Sequence, residues 1–177
     1  MTPALGKEYG AALFSLAAEE HCEDEVLGSL RLICGLFEQN PDYVRLLSNP
    51  AVAAGERLSL LDEAFRGRVQ PYALNTVKLL CEKSVIAALP KCVDEYTALL
   101  YKQRGILPVT AVSAVEMTEE QKRALKDKLE AATGKSVLLD CRIDPAILGG
   151  IRVSYAGKEL DGTVAGRLEA LRQVLMA

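Results

Sequence analysis

The sequence predicts an α+β protein, with an N-terminal all-α bundle of six helices followed by a small α/β domain. Up to residue 105, apolar residues recur at the spacing of amphipathic helices, and proline or glycine interrupts the pattern at short intervals. From residue 106 onward, segments that alternate apolar and polar residues flank one helical segment, which is typical of strands around a helix. We therefore predict domains at residues 1–105 and 106–177.

Composition and charge exclude several classes of protein. Apolar residues make up 50% of the 177 residues and charged residues 25%, as in ordinary globular proteins. A formal net charge of −3 argues against a nucleic-acid surface, which needs clustered lysine and arginine. No apolar run approaches the roughly 18 residues of a membrane span, and the N-terminus lacks the features of a secretory signal. We expect any membrane association to be indirect.

The five cysteines and the single histidine do not suggest a metal or catalytic site. The cysteines are widely spaced with no Cys-x-x-Cys, so we expect buried thiols in a reducing compartment and no metal site. His21 lacks a matching nucleophile or ligand set, and we interpret it as a surface or helix-end residue. The cysteines are Cys22, Cys34, Cys81, Cys92 and Cys141.

The first predicted helix covers residues 4–22 and is apolar on two sides. Such a helix must bury both sides. One can pack within the bundle, and the other can be a docking surface where Ala12 lets a partner backbone approach. A central bundle helix without a partner explains the pattern equally well. One side consists of Leu5, Tyr9, Ala12 and Leu16, and the other of Leu13, Phe14, Ala17 and Ala18.

Three shorter helices are predicted next. The second covers residues 24–40, with Asp24 as its N-cap. A short third helix through Tyr43 ends near Asn49 and Pro50, and the fourth covers residues 55–65.

The fifth predicted helix, residues 70–83, again has two apolar sides. The sixth runs from about residue 85 to 105, with Pro90 near its start, where proline is tolerated. One side of the fifth helix carries Ala73, Val77 and Leu80, and the other Tyr72, Thr76 and Leu79.

The second domain begins with a strand at residues 107–113, with Pro108 near its start. Thr118 and Gln121 form a capping box for a helix that Gly134 closes. Residues 137–143 are the next strand, because apolar residues alternate there with Asp140 and Arg142. We expect Leu125, Leu129 and Ala132 to face inward from the helix. The alternating apolar residues of the strand are Val137, Leu139, Cys141 and Ile143.

The chain ends in a series of turns, strands and one helix. Asp144-Pro145 opens a turn, and Gly149-Gly150 permits unusual backbone conformations. Residues 151–155 alternate as a strand, and a short extended piece lies between Ala156-Gly157 and Asp161-Gly162. Thr163 stands at the N-cap of an amphipathic helix with Val164, Leu168, Leu171 and Leu175 at helical spacing.

Gly134-Lys135-Ser136 is similar to the end of a P-loop. The full motif requires glycine where Leu129 stands, and it follows a strand and opens a helix, the reverse of the order here. We interpret Gly134 as a helix end. A nucleotide-binding enzyme that uses Lys135 is kept as an alternative, but the sequence as a whole does not describe an enzyme, and we expect no catalytic residue and no cofactor.

The C-terminal residues resemble the signature of one family. The string contains Asp144-Pro145, Gly149-Gly150-Ile151, Gly157-Lys158 and Asp161-Gly162-Thr163, followed by Gly166-Arg167-Leu168-Glu169. Residues 9–17, 75–80 and 109–134 extend the similarity over nearly the whole chain. The family is the delta subunit of F-type ATP synthase, whose mitochondrial relative is the oligomycin-sensitivity-conferring protein.

The resemblance implies a non-catalytic stator subunit of the peripheral stalk, which couples rotation to ATP synthesis and hydrogen ion transport. One copy per complex would lie peripherally at the cytoplasmic face of the bacterial cell membrane. The N-terminal bundle would bind an N-terminal helix of the alpha subunits of the catalytic head, with beta subunits as further candidates. The C-terminal domain would bind the b-subunit helices. An unrelated helical adaptor is the alternative.

The resemblance also implies site residues. The docking groove would have one wall from the first helix and one from the fifth, although internal packing is the stronger interpretation for Leu13. In the C-terminal signature, Gly149 and Gly150 would shape the backbone, and Arg167 would be a surface contact. Gly10 stands where the family usually has alanine, at a cost of roughly 1 kcal/mol in helix stability. The implied wall from the first helix consists of Tyr9, Ala12, Leu13 and Leu16, and that from the fifth helix of Thr76, Leu79 and Lys83. The implied turn residues of the C-terminal signature are Asp161 and Gly162.

Overall fold

The computed structural model describes residues 2–147, 149–155 and 157–163, with side chains from Leu5 onward. It confirms the α+β class, since the described residues form seven α-helices, one 3₁₀-helix and four strands. The chain divides into two compact units, Met1–Leu100 and Tyr101–Ala177, close to the predicted boundary between residues 105 and 106. We call them the N-terminal and C-terminal units and describe each by itself.

The helices before residue 104 follow the predicted segments closely. Proline occupies the first turn of the third, fifth and sixth helices, where its missing amide proton costs least. Their bounds are α1 Thr2–Glu19, α2 Glu23–Gln39, α3 Pro41–Ser48, α4 Ala54–Phe65, α5 Pro71–Glu82, the 3₁₀-helix Ile86–Ala88 and α6 Leu89–Gln103.

The junction between α1 and α2 differs from the prediction. Helix α1 ends at Glu19, before the predicted end at residue 22, because His21 takes a left-handed backbone conformation with φ of 54°. His21 is exposed beside this helix end, as predicted. Asp24 is not the N-cap of α2: Cys22 holds that position, and Asp24 lies in the acidic first turn, where the helix dipole favours carboxylates.

The five cysteines are free thiols, but only Cys81 and Cys92 are fully buried, and the others are half-buried. Burial raises the pKa of Cys92 to about 12 and that of Cys34 to about 11. A thiol with so high a pKa stays protonated at neutral pH and is a poor nucleophile. Cys92 therefore behaves as a small apolar core residue, and Cys34 is an unreactive thiol packed against the edge of the core.

One apolar core fills the N-terminal unit, and Tyr96 lies at its centre with no exposed surface. The Tyr96 hydroxyl donates a hydrogen bond of 3.0 Å to the carbonyl oxygen of Glu23, and its ring meets Phe14 edge-on with centroids 5.5 Å apart. Because the hydroxyl is satisfied, the large ring can be buried without leaving an unpaired polar group. The contact ties α6 to the beginning of α2.

Arg57 in α4 is a buried charge that the sequence pattern did not predict, since its side chain is only 6% exposed. Its Nη1 atom donates to the carbonyl oxygens of Leu47, at 3.1 Å, and Cys81, at 3.3 Å. These carbonyls lie in the last turns of α3 and α5, where the helix dipole favours a positive charge. Arg57 therefore connects the ends of two helices to a third.

Glycine in α1 permits a close helix contact. A Cβ atom added to Gly10 would lie 2.6 Å from the carbonyl oxygen of Cys92 in α6, and one added to Gly6 would lie 2.9 Å from that of Ala88. Both distances are well below ordinary van der Waals contact with carbon. This contact gives a reason for glycine at position 10, where the family resemblance leads one to expect alanine.

We expect Gly10→Ala to destabilise the protein by about 1–3 kcal/mol, although alanine is the better helix former, because the rigid backbone of α6 must move. Gly28→Ala in α2 is the matched control, since nothing lies within 4 Å of the added Cβ atom. It should instead stabilise the protein by about 0.5–1 kcal/mol. Urea unfolding followed by circular dichroism measures both changes, and the same sign for both would contradict the packing argument.

The C-terminal unit is a four-stranded sheet with one described helix. The strand order is β2-β1-β3-β4; β1 pairs with β2 in parallel, and the other pairs are antiparallel. Helix α7 makes the crossover from β1 to β2, and the predicted capping box at its start is confirmed, as is the left-handed Gly134 at its end. The bounds are β1 Ile106–Ser113, α7 Glu119–Thr133, β2 Ser136–Ile143, β3 Ile151–Tyr155 and β4 Lys158–Asp161.

One prediction about the core of this unit is wrong, and one apolar strand residue lies outside the core. Ala132 is exposed, because the inward stripe of α7 runs at four-residue spacing from Leu125 and Leu129 to half-buried Thr133. Ile143 is 56% exposed, because β2 is an edge strand and Ile143 is its last residue. The buried core residues are Leu107, Val109, Leu129, Val137 and Val153.

Candidate docking surfaces

Helices α1 and α5 are in contact and run in opposite directions. Beyond the end of α1, the Sγ atom of Cys22 accepts a 3.6 Å hydrogen bond from Nε2 of Gln70, the N-cap residue of α5. At the other end, Gly6 in α1 lies against Ala88, in the 3₁₀-helix that follows α5. The start of α1 is therefore near the end of α5.

The α1 residues predicted for the docking groove fall into two groups. Tyr9 is half-buried, Ala12 is exposed, and the Leu16 side chain is 38% exposed. Leu13 is only 4% exposed and belongs to the core, because it lies on the same side of the helix as Ala17. For Leu13 the alternative interpretation, internal packing, therefore holds.

The predicted residues of α5 lie on its outer side. Thr76 is half-buried, and its hydroxyl donates a hydrogen bond of 2.9 Å to the carbonyl oxygen of Tyr72, so it needs no polar partner from outside the helix. Leu79 is 38% exposed, and Lys83 is exposed at the C-cap. Half-buried Tyr72, which was not among the implied site residues, extends this side of α5 by one turn. The sequence pattern indicates it, because Tyr72 belongs to the same apolar side of the helix as Thr76 and Leu79.

These side chains form a partly exposed, mainly apolar surface that we call the α1–α5 surface. Two leucines, one on each helix, are its largest exposed apolar side chains. Such a surface can bind the apolar stripe of another helix. It consists of Tyr9, Ala12, Leu16, Tyr72, Thr76, Leu79 and Lys83.

The C-terminal signature residues meet where β3 begins and β4 ends. The amide of Gly162 donates a 3.0 Å hydrogen bond to the carbonyl oxygen of Ile151. Gly150 has φ of 88°, and a Cβ atom there would collide with the carbonyl oxygen of Gly162 and lie 2.8 Å from the Cα atom of Thr163. Residues eleven or more positions apart in sequence thus share one tight backbone contact.

Asp161 organises the turn that follows β4. Its Oδ1 atom accepts a hydrogen bond of 2.8 Å from the amide of Thr163, and its Oδ2 atom lies 3.6 Å from Nη2 of Arg152. Hydrogen bonds that the side chain and the backbone amide of Thr163 donate, together with the positive charge of Arg152, lower the pKa of the Asp161 carboxyl below its usual value. Arg167 and the predicted C-terminal helix lie outside the described residues.

Because the pKa of Asp161 is lower in the folded state, ionised Asp161 stabilises the fold above its usual pKa of 3.8, and this stabilisation is lost as pH falls through the folded value. Asp161→Asn should therefore lower the free energy of unfolding at neutral pH. As the pH is lowered, the free energy of unfolding of the variant should decrease less than that of the wild type. Denaturant unfolding at pH values from 7 to 2 tests this (roughly the range over which carboxyls titrate). Asp127→Asn, on the exposed side of α7, is the control and should keep the wild-type profile.

Beside Gly149 and Gly150 lies a mainly apolar cavity of about 580 Å³. Its walls come from the segment after β1, from α7 and from the start of β3, so it belongs entirely to the C-terminal unit. Among the lining residues are Val115, Met117, Leu125, Gly149, Gly150 and Ile151. It is a second candidate docking surface.

The residues similar to a P-loop do not form one. Gly134 ends α7 in a left-handed conformation with φ of 65°, and the strand β2 begins at Ser136. The helix therefore precedes the motif and the strand follows it, so no helix N-terminus is directed at a phosphate near Lys135. Within the described residues, no helix could cross a membrane and no group of acidic, histidine or cysteine side chains could hold a metal ion.

Comparisons with known proteins agree with this architecture. The chain is similar to the ATP synthase subunit delta of Geobacillus sp., with 31% identity over 97% of both chains. It is also similar to that of Alkaliphilus oremlandii, with 31% identity over 99% of this chain and 97% of the relative. Its fold is similar to that of a chain in the cryo-EM structure of the Toxoplasma gondii mitochondrial ATP synthase hexamer, with a TM-score of 0.77, 20% identity and 98% of both chains covered.

The match to a protein family covers nearly the whole chain. Residues 5–175 match the model of the family described as "ATP synthase delta (OSCP) subunit". The matched range includes both units and the glycine contact of the C-terminal signature. The chain therefore belongs to the ATP synthase delta (OSCP) subunit family.

Proposed function

We propose that this protein is the non-catalytic stator subunit of a bacterial F-type ATP synthase. One copy per complex links the catalytic head to the membrane sector at the cytoplasmic face of the cell membrane. The membership of residues 5–175 in the delta (OSCP) family supports this function. The link keeps the head from turning with the rotor, so that ion transport stays coupled to ATP synthesis.

In this proposal the six-helix N-terminal bundle, residues 1–105, binds the head through the α1–α5 surface. The partner is an amphipathic N-terminal helix of an alpha subunit, with beta subunits as further candidates for contact with the bundle. The observation that carries this assignment is the pair Leu16 and Leu79, each 38% exposed on neighbouring helices. Large apolar side chains that a partner covers completely are the usual anchors of a helix bound in a groove.

The C-terminal domain, residues 106–177, is proposed to bind the b-subunit helices. Its cavity of about 580 Å³ beside Gly149 and Gly150 supports a docking site there, since it is concave and mainly apolar. The backbone contact between Gly150 and Gly162 holds one rim of this cavity in place. Gly149, Gly150, Asp161 and Gly162 would then shape the site without contacting a substrate.

The proposed role is mechanical and needs no reacting group. A stator must remain bound while the head experiences torque, so slow dissociation matters more than fast association. Contacts between large apolar side chains act mainly on the dissociation rate. The α1–α5 surface has the composition that this requirement favours.

Nuclear magnetic resonance of the full chain with a synthetic peptide of the alpha-subunit N-terminus tests the proposal. We expect the chemical-shift changes to cluster on α1 and α5, and to be largest near Ala12 and Leu79. The outer side of α2, where the Leu32 side chain is 48% exposed, is the internal control and should not change. Unchanged signals of α1 and α5 at saturating peptide would rule out this docking surface.

A further inference from the structure

We propose that the strand β2 is an interaction surface for a second copy of this chain. The β2 strands of two molecules pair antiparallel about a two-fold axis at Cys141, so that the two sheets join into one continuous sheet. This pairing belongs to the free protein, because the proposed complex contains one copy of the chain. It does not depend on the proposed stator function.

The first observation is the outer edge of β2, which has no neighbouring strand within the part of the chain that the structure describes. The strand order β2-β1-β3-β4 places β2 at one side of the sheet. Its 8 residues contain no proline, and its register with β1 is continuous, so no bulge interrupts it. Proline and bulges are common devices that keep an edge strand from pairing with another chain. The outer edge of β2 is therefore available to an added strand.

The odd-numbered residues of β2 direct their backbone groups to this outer edge. The amide of Ser136 donates a 3.2 Å hydrogen bond to the carbonyl oxygen of Gly105, just before β1. The amide of Asp144, just after β2, donates a 2.9 Å hydrogen bond to the carbonyl oxygen of Ser113 in β1. Even-numbered residues therefore face β1, and because the direction alternates along a strand, odd-numbered ones face away from it.

Helix α7 covers only the first part of the edge. The amide of Val137, an odd-numbered residue, donates a 2.8 Å hydrogen bond to Oε1 of Glu130 in α7. This contact confirms the direction of the odd-numbered amides. Residues 139–143 follow, and we call them the open segment, because their outward backbone groups can pair with the same groups of a second copy.

The open segment is complementary to itself in one antiparallel register. With Cys141 opposite its own copy, Asp140 lies opposite Arg142 of the second copy, and Leu139 lies opposite Ile143. Apolar pairs and pairs of opposite charge are favourable when they lie directly across an antiparallel pair of strands. Asp140 and Arg142 are exposed, and the Ile143 side chain is 56% exposed, so these side chains are accessible to a second copy.

The neighbouring registers place like charges together. A shift of the second strand by two residues puts Asp140 opposite Asp140, and the same shift in the other direction puts Arg142 opposite Arg142, which is destabilising. A shift by one residue turns the outward backbone groups of one strand away from those of the other. Within β2, Nε of Arg142 lies 2.9 Å from Oδ2 of Asp140, but an exposed pair of this kind contributes little and competes weakly. The charges therefore select the register centred on Cys141.

Amide hydrogen exchange of the full chain in dilute and concentrated solution tests the pairing. In the concentrated sample the amides of Leu139, Cys141 and Ile143 should exchange more slowly than in the dilute one. The amides of Asp140 and Arg142 face β1 in the single molecule as well, so they are the internal control and should not change. Sedimentation equilibrium of the same samples should show dimers in the concentrated one. Monomers only, or equal protection of both sets of amides, would overturn the proposal.

Charge reversal tests the register. In Asp140→Arg the new arginine lies opposite Arg142 of the second copy, and in Arg142→Asp the new aspartate lies opposite Asp140. Because the axis repeats each like-charge pair, either variant alone should dimerise about tenfold more weakly than the wild type, or less. An equimolar mixture of the two variants should dimerise again, because every like-charge pair becomes a pair of opposite charges.

Glu63→Arg is the matched control, because it changes the net charge by the same amount as Asp140→Arg at an exposed position on α4. It should dimerise as the wild type does, and circular dichroism checks that all variants are folded. Undiminished dimerisation of Asp140→Arg, or a mixture that dimerises no better than its components, would contradict pairing about Cys141.

Discussion

Leu79→Gln is expected to weaken binding of the alpha-subunit peptide about tenfold or more while the free protein stays folded. Binding buries the exposed 38% of the Leu79 side chain, which is worth roughly a third of the 1.5–3 kcal/mol for a fully buried leucine. A glutamine amide left unpaired in the interface costs about 1–3 kcal/mol more, and each 1.4 kcal/mol is a factor of ten in affinity. In the free protein most of the Leu79 side chain is already buried, so we also expect the free energy of unfolding to fall by about 1–2 kcal/mol. Glutamine keeps the size of the side chain and is a good helix former, so α5 should remain intact.

Isothermal titration calorimetry measures this loss, and thermal unfolding of the same sample checks stability. Leu32→Gln is the matched control, because Leu32 is 48% exposed on α2 and lies outside the α1–α5 surface. The control should bind the peptide as the wild type does. Equal affinities for the wild type and Leu79→Gln would refute the proposed surface, and equal losses in both variants would show that the effect is not local.

Gly150→Ala is expected to destabilise the C-terminal unit by about 2–5 kcal/mol, through two separate costs. The backbone at Gly150 has φ of 88°, a conformation that residues with a Cβ atom rarely adopt. The added methyl group would also collide with backbone atoms of Gly162 and Thr163, which cannot rotate away as a side chain could. The rim of the cavity would have to open to accommodate it.

Gly134→Ala separates these two costs. Gly134 has φ of 65°, but nothing lies within 4 Å of an added Cβ atom, so only the backbone cost of roughly 1–2 kcal/mol applies. Amide hydrogen exchange of the strands β1 and β3 measures the stability of the C-terminal unit, and exchange in α2 reports on the other unit. If Gly150→Ala destabilises the C-terminal unit no more than Gly134→Ala does, then the backbone of Gly162 moves easily and the close contact with Gly150 is not rigid.

The elements that could be predicted from sequence are those whose cause is local. The capping box at Thr118 and Gln121, and the glycine stop at Gly134, depend on residues within one or two turns of each other. The predicted N-cap at Asp24 was wrong because three consecutive acidic residues are all suited to a helix start, and the left-handed turn at His21 selects among them. Boundaries that depend on the next element are not encoded locally.

For the candidate site, the sequence predicted which residues share a helix side but not how exposed each side is. The spacing of Tyr9, Ala12 and Leu16 identified a second apolar side of α1. Only packing distinguishes this side from that of Leu13, because both are equally apolar in the sequence. The same limit explains Ala132, which continues an apolar pattern but lies on the exposed side of α7.

By itself, the sequence determined the fold class, the approximate positions of the described helices and strands, and the family to which the chain belongs. Periodicity, caps and turn residues act over a few positions, so they can be read along the chain. Only the tertiary structure decided that Gly10 permits the close contact of α1 with α6, that Arg57 is buried, and that Gly150 meets Gly162. Each of these depends on atoms from segments far apart in sequence, and no local pattern records how closely such segments approach.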